Sequence, residues 1–261
     1  MKNMIGIDIG GTKISGIVFN GKKSVNELTI VTPKTLVEFK RNLIKLVDFL
    51  SADVKISAVG VGMAGVIDTD RQIAKYSPNI KYIKNFAFKG LFGKGLKIAV
   101  ANDAKCFALA EAKLGQGKKF KSAVGVILGT GVGSGFIQQG KIYSGGHYGA
   151  GEVGHMLYDG RHTFESLFQK ARDAGDNRKL SQIVGVLLGN VCRAYDPDIV
   201  VLGGGVALDK KRKFINGAKI ICAKILSSYR IKPKIVVSKL KNAGALGAAL
   251  LASFPSLDGR G

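Results

Sequence analysis

The residues that could do chemistry sit in or beside three glycine turns. Residues 5–13 read I-G-I-D-I-G-G-T-K, which places Asp8 among Ile5, Ile7 and Ile9 in an apolar strand. A carboxylate there costs free energy unless a hydrogen-bond donor or a cation meets it. The turn that follows, Gly10, Gly11 and Thr12, exposes backbone N–H groups, and Lys13 adds a positive charge; such a nest binds phosphate oxygens. Asp8 would then approach a magnesium ion directly or through water, because Mg2+ takes a carboxylate or two together with phosphate oxygens and waters. An ordinary glycine hairpin with a solvated Asp8 at its mouth is the open alternative.

The stretch L-G-T-G-V-G-S-G at 128–135 repeats the device without the carboxylate, through Gly129, Thr130, Gly131 and Gly133. Two such hairpins could clamp one polyphosphate chain between them. The third turn, Gly203, Gly204 and Gly205, follows a strand and precedes a helix, which suits a flat nucleobase or a ribose. Asp103, in V-A-N-D-A at 100–104, lies where a strand meets a helix. Phosphoryl transfer to an alcohol needs a carboxylate that accepts the hydroxyl proton, although taken alone Asp103 reads more readily as a cap for its helix. Glu152 and His155 in G-E-V-G-H, with Glu165 ten residues on, could hydrogen-bond vicinal hydroxyls of a sugar. A lone histidine is more often structural, and a metal shared by His155 and His162 has weak support. The run G-V-G-M-A-G at 60–65 matches a dinucleotide fingerprint in form only, because extended chain and not a helix follows it.

Hydrophobic periodicity supplies the elements that must position these groups. Strands are expected at 4–9, 14–20, 24–31, 56–62, 98–101, 122–128, 135–139, 198–202 and 234–238, with short extended pieces at 66–67 and 73. Helices are expected at 35–50, 104–114, 163–172, 180–195, 211–229 and 243–253. Strand, glycine turn, strand occurs twice, which predicts two similar α/β lobes facing each other across a cleft. The lobes would take in residues 1–101 and 102–242, with a C-terminal helix at 243–255 packing on the first and a loose tail at 256–261.

Composition narrows the field. The chain has 261 residues, 46% of them hydrophobic, and no apolar stretch approaching the ~20 residues of a membrane span. The first strand follows Met1 within three residues, so no signal peptide is expected and a cytoplasmic protein with no membrane role is. Cys106, Cys192 and Cys222 form no paired motif and read as core thiols. Glycine, 36 of 261 residues, is well above its usual ~7% share, as close backbone packing against ligands requires. The net charge of +22, from 40 Lys and Arg against 18 Asp and Glu, favours polyanions; lysine spread without a role is the plainer explanation.

Together these residues resemble the ROK family of sugar kinases and sugar-responsive repressors, within the actin-like ATPase superfamily. The likeness runs over 4–253 and rests on the motifs at 5–13, 102–104, 128–133, 151–156, 201–205 and 246–249. It implies an α/β, two-lobed actin-like (ribonuclease H-like) fold with mixed sheets and flanking helices around a central cleft. It further implies Asp103 as general base, Asn102 beside it holding substrate, and Glu152, His155 and Glu165 on sugar hydroxyls. Asp8 with Gly10, Gly11, Thr12 and Lys13, and the turn 129–133, would handle Mg2+ and the donor's phosphates, and Gly203 to Gly205 would lie near adenosine. ATP is the implied co-substrate, a hexose the acceptor, and a homodimer the implied assembly.

Two departures bear on specificity. Family members often carry a cysteine-rich zinc knuckle between the His155 and Glu165 positions; here 158–162 reads Y-D-G-R-H, so no zinc is expected. No helix-turn-helix precedes the first phosphate strand, so DNA binding by that route is not expected. The sequence therefore points to an ATP-dependent hexokinase of the glucokinase type. A polyphosphate-dependent glucokinase is the alternative, and a non-catalytic sugar sensor or polyanion-binding protein on the same fold is a second.

Overall fold

The computed structural model describes residues 2–93, 95–229 and 232–253. Two five-stranded mixed sheets of the same topology form its frame. In the first, of order β3-β2-β1-β4-β8, β1 (Asn3–Ile9) and β2 (Lys13–Phe19) form the hairpin around the first glycine turn. β3 (Ser24–Val31) lies antiparallel on the outer edge, while β4 (Ile56–Met63) and β8 (Lys97–Asn102) run parallel to β1. The second repeats the plan as β11-β10-β9-β12-β13. There β9 (Ser122–Leu128) and β10 (Val132–Gln138) enclose the second glycine turn, β11 (Lys141–Tyr143) is the antiparallel edge, and β12 (Ile199–Gly203) and β13 (Lys234–Val237) are parallel to β9. The duplication expected from the two hairpins thus extends to whole sheets.

Two helices that are buried on nearly every side lie between the sheets. α2 (Asp103–Lys113) packs on the second sheet and α7 (Ala243–Ser253) on the first. Glycines set the approach. A Cβ on Gly60 would stand 1.7 Å from the Ala248 carbonyl oxygen, and one on Gly125 would stand 2.9 Å from the Ala108 Cα. The two helices touch each other where a Cβ on Gly247 would meet the Cys106 carbonyl oxygen at 1.7 Å.

On the outer faces, α1 (Leu36–Ser51) buries Phe39, Leu43, Leu46, Val47 and Leu50 under the first sheet, and Thr35 caps it by accepting the Glu38 N–H at 3.3 Å. α3 (Phe164–Asp173) and α4 (Asn177–Tyr195) cover the second sheet together with α6 (Phe214–Leu226). Sequence and structure differ in three places, of which one is β11, where the sequence leads one to expect only a turn. The pieces near 66–67 and 73 belong to a third, antiparallel sheet of β5 (Val66–Asp68), β6 (Ile73–Tyr76) and β7 (Lys84–Ala87). β7 has little alternation to betray it, and Asn85 there has φ of +49°. The helix expected at 211–229 begins only at Phe214, as α6, because the Asp209 side chain accepts the Lys211 N–H at 2.9 Å and holds a turn there, and a separate short helix, α5 (Gly205–Leu208), precedes that turn.

Cys106, Cys192 and Cys222 are buried free thiols. No helix among the described residues is long and apolar enough to cross a membrane. The tail expected at 256–261 and the last residues of the helix expected at 243–255 lie outside the described residues.

Candidate active site

The parallel strands β1, β4 and β8 end together, with Asp8 paired in register with Gly62 and Asn102 with Met63. Ligands of open α/β sheets bind at this carboxyl end. Asn102 caps α2: its Oδ1 accepts the Ala104 N–H at 2.9 Å and the Lys105 N–H at 3.4 Å, and its Nδ2 donates to the Gly65 carbonyl at 3.2 Å. With the cap supplied by Asn102, Asp103 occupies the first turn, accepting one N–H from Ala104 at 2.9 Å. The structure therefore gives the capping role to the neighbour of the expected base. Asn102 is tied into the scaffold beside the cleft.

Asp103 lies close enough to Asp8 for its charge to raise the proton affinity of Asp8. Burial pushes the Asp8 carboxyl up to about 7, the charge of Asp103 adds to this, and Lys13 partly offsets it. Burial likewise raises Asp103 to about 6, against the Ala104 N–H and with the charge of Glu152 adding to it. The Cys106 thiol, beneath both carboxylates, is pushed well above its ordinary range by burial and by their charges. Against Asp8 lies the first turn of α7, so close that a Cβ on Gly244 would stand 2.4 Å from Oδ2. Its N-terminal dipole offsets some of the cost of the charge.

The first glycine turn closes with the Gly10 N–H donating to the Lys13 carbonyl at 3.0 Å. Thr32 fixes it from outside, Oγ1 donating to the Gly10 carbonyl at 2.7 Å and N–H to the Thr12 carbonyl at 3.0 Å. Gly11, Thr12 and Lys13 remain exposed. The second turn, 129–131, is gripped by α3. Glu165 Oε2 accepts the Val132 N–H at 2.7 Å, and a Cβ on Gly131 would meet that oxygen at 2.2 Å. Gly133 packs on Ala104, whose Cβ an added methyl would meet at 3.0 Å. In the third turn the glycines have separate reasons. Gly203 makes room for the Phe107 ring, Gly204 has φ of +86° against the Leu128 backbone, and Gly205 alone opens onto free space.

The G-E-V-G-H segment is docked on β10 by its two glycines. Gly151 has φ of +101° and its carbonyl accepts the Ser134 hydroxyl at 2.7 Å, while a Cβ on Gly154 would meet the Val132 carbonyl oxygen at 2.3 Å. Glu152 and His155 project from it and pair at 3.7 Å, both largely exposed. His162 pairs with Asp159 at 3.0 Å instead of approaching His155, and among the described residues no group of three His, Cys, Asp or Glu could hold a metal ion. Magnesium needs no such triad. Asp8, a buried carboxylate beside the exposed first glycine turn, offers the kind of oxygen donor that Mg2+ takes together with phosphate and water.

Several groups at the site escaped the sequence reading. Lys105, 4% exposed, donates to the Tyr148 carbonyl at 2.6 Å, and the Tyr148 hydroxyl donates to Asp70, which lies between β5 and β6 on the other side of the cleft. Gln169 Nε2 donates to the Thr130 carbonyl at 3.2 Å, and Arg172 Nη1 donates to the carbonyls of Gly129, at 3.0 Å, and Thr130. Most of these bonds end on backbone carbonyls, which leave no mark in a sequence. The helical spacing of Glu165, Gln169 and Arg172 was the one available signal.

Comparison with known proteins identifies the family. A model of the ROK family matches residues 4–172, which include Asp8, the first two glycine turns, Asp103, Glu152, His155 and Glu165. The chain is 31% identical to an N-acetyl-D-glucosamine kinase of Photobacterium profundum, with 94% of this chain and 98% of that protein covered. A ROK hexokinase from Thermus thermophilus has the same fold, with a TM-score of 0.84 and 28% identity over 96% of this chain and 98% of the other. An inorganic polyphosphate/ATP-glucomannokinase from Arthrobacter sp. strain KM superposes with a TM-score of 0.75 at 29% identity, over 97% and 99% of the two chains. The expected two-lobed α/β fold is the fold of these proteins, and the chain belongs to the ROK family.

Proposed function

We propose that the chain transfers the γ-phosphate of ATP to a hydroxyl of glucose or a related hexose, the 6-hydroxyl being the expected acceptor, with Asp103 as general base. One observation carries this reading: Asp103 stands in the cleft with its carboxyl raised to about 6, beside Asp8 and the two glycine hairpins. A base is most effective with a proton affinity near the working pH. The sugar would be oriented by Glu152 and His155, which the glycine docking of their segment holds over the same cleft. Asp103 would accept the hydroxyl proton at a carboxylate oxygen as the new phosphate ester bond forms and the β–γ bridge breaks. When bound by Asp8 and the donor's phosphates, Mg2+ supplies charge neutralisation there. Backbone N–H groups of the first two turns would bind the phosphate oxygens, and closure of the cleft would exclude water as a competing acceptor.

The relatives are named as an N-acetyl-D-glucosamine kinase, a hexokinase and a glucomannokinase, so the acceptor class supported is an aldohexose with or without a 2-acetamido group. A second reading, with inorganic polyphosphate as donor, is favoured by the net charge of +22 and by the similarity to the Arthrobacter protein. The test is sugar-phosphate formation from glucose, mannose, N-acetylglucosamine and N-acetylmannosamine, each with MgATP and with polyphosphate. Product from ATP is expected. Product from polyphosphate alone, suppressed by added salt, would replace ATP as donor, and no product from any pair would overturn the kinase reading.

A further inference from the structure

The β9–β10 turn is held from behind by three side chains on one face of α3, spaced at Glu165, Gln169 and Arg172. The carbonyls of Gly129 and Thr130 both point at α3, because Arg172 Nη1 donates to each and Gln169 Nε2 to the second. In a trans peptide the C=O and N–H point to opposite sides. The N–H groups of Thr130 and Gly131 therefore face away from α3, and neither donates within the chain among the described residues. Asp173 takes the Arg172 Nε at 2.7 Å, which leaves Nη1 directed at the turn. The anchor continues on the other side: Arg212 Nη1 donates to the Arg172 carbonyl at 3.2 Å, and Arg212 pairs with Asp209 at 3.6 Å. The Asp209 N–H in turn donates to the Gly205 carbonyl at 3.1 Å, in the third glycine turn.

We infer that Arg172 is a positioning residue for the phosphoryl donor, which fixes two peptide planes so that the Thr130 and Gly131 N–H groups bind phosphate oxygens, and that Arg212 ties this turn to the one at Gly205. The inference rests on the kinase reading above and deepens it. It assigns donor binding to a side chain that touches neither substrate. A guanidinium fits where an ammonium does not, since its planar fork serves two carbonyls and a carboxylate at once.

The test compares the wild-type protein with Arg172→Lys, Arg172→Ala and Arg212→Gln. Calorimetric affinity is measured for the β,γ-imido analogue of ATP with Mg2+ and, separately, for the sugar the wild type phosphorylates. In Arg172→Ala the nucleotide affinity is expected to fall roughly tenfold, the worth of one lost charge-assisted hydrogen bond. Sugar affinity should stay unchanged, Arg172→Lys should recover only part of the loss, and Arg212→Gln should show a smaller loss of the same kind. Unchanged nucleotide affinity in folded Arg172→Ala would overturn the inference. So would an equal loss of nucleotide and sugar affinity in Arg172→Ala and in the milder Arg212→Gln, the mark of a purely structural role. A wild type that binds no nucleotide would instead overturn the kinase reading, an outcome separate from these.

Discussion

At the scale of single residues, the two facing carboxylates explain both what the site can do and what it costs. Asp103, with a carboxyl near 6, is ionised at neutral pH and still able to hold a proton. Asp103→Asn keeps the shape and removes the base, so kcat should fall by about 10²- to 10⁴-fold while sugar affinity persists; unchanged turnover would take Asp103 out of that role. The wild-type rate should rise with pH through an acid limb centred near 6, and steady-state kinetics across that range would reveal it. Asp8 makes the opposite case for stability. Its folded carboxyl, near 7, lies above its ordinary value of 3.8, so the folded state holds the proton more tightly than the unfolded chain does. The resulting destabilisation is absent below the unfolded value and complete above the folded one. Without metal or nucleotide, Asp8→Asn should therefore melt at a higher temperature than the wild type at about pH 8, the gap narrowing as the pH falls towards 5. A lower melting temperature for the variant throughout would show that Asp8 is already compensated. Functional sites commonly hold such stability debts.

At the scale of elements, glycine spacing does two different jobs that look alike in the sequence. Gly60 lets α7 onto β4, where a Cβ would sit 1.7 Å from the Ala248 carbonyl oxygen. The obstructing atoms are backbone deep in the core, so Gly60→Ala should lose more than the ~1–3 kcal/mol typical of overpacking, read as a large fall in melting temperature. Gly154 docks the G-E-V-G-H segment, where a Cβ would meet the Val132 carbonyl oxygen at 2.3 Å. Gly154→Ala should shift Glu152 and His155 off β10, raising the KM for sugar several-fold with the KM for ATP and the melting temperature little changed. Equal effects on both substrates would refute that assignment. This duality also explains how much was legible beforehand. The hairpins, the central helices and the order of the three turns follow from alternation, apolar runs and glycine pairs, all local signals. Of the third turn's glycines, read together as a nucleotide site, Gly203 and Gly204 answer to Phe107 and Leu128, contacts that arise only once β9, β12 and α2 are assembled. β7 was missed for the same reason: Phe86 is placed by the core and by its pairing with β6, not by its own neighbours in sequence.

At the scale of the whole molecule, the two sheets meet through α2 and α7, whose contact at Gly247 and Cys106 lies beneath the cleft, while a second connection crosses its mouth. The loop after β11 carries Tyr148 at φ of +64°, a conformation that a non-glycine residue adopts at a cost. That loop is held from below, Lys105 donating to the Tyr148 carbonyl at 2.6 Å. The Tyr148 hydroxyl then reaches Asp70 beside the third sheet. Lys105 follows Asp103 by two residues on α2, and the loop runs on into Glu152, so the cross-cleft hydrogen bond is mechanically continuous with both the proposed base and the segment proposed to contact the sugar. An exposed hydrogen bond of this kind adds little to global stability, since water replaces it at small net cost, yet it would favour a closed cleft over a more open one. Removing only the hydroxyl, in Tyr148→Phe, should leave the melting temperature within a degree or two. It should raise the KM for sugar several-fold and raise the slow hydrolysis of ATP relative to sugar phosphorylation, because a cleft that closes less often admits water. Asp70→Asn, which keeps an acceptor oxygen for the tyrosine, should show a weaker form of the same change. If Tyr148→Phe altered neither sugar KM nor the ratio of hydrolysis to transfer, closure would have to be driven by the sugar's own contacts with Glu152 and His155, and the hydrogen bond would be a surface detail of this conformation.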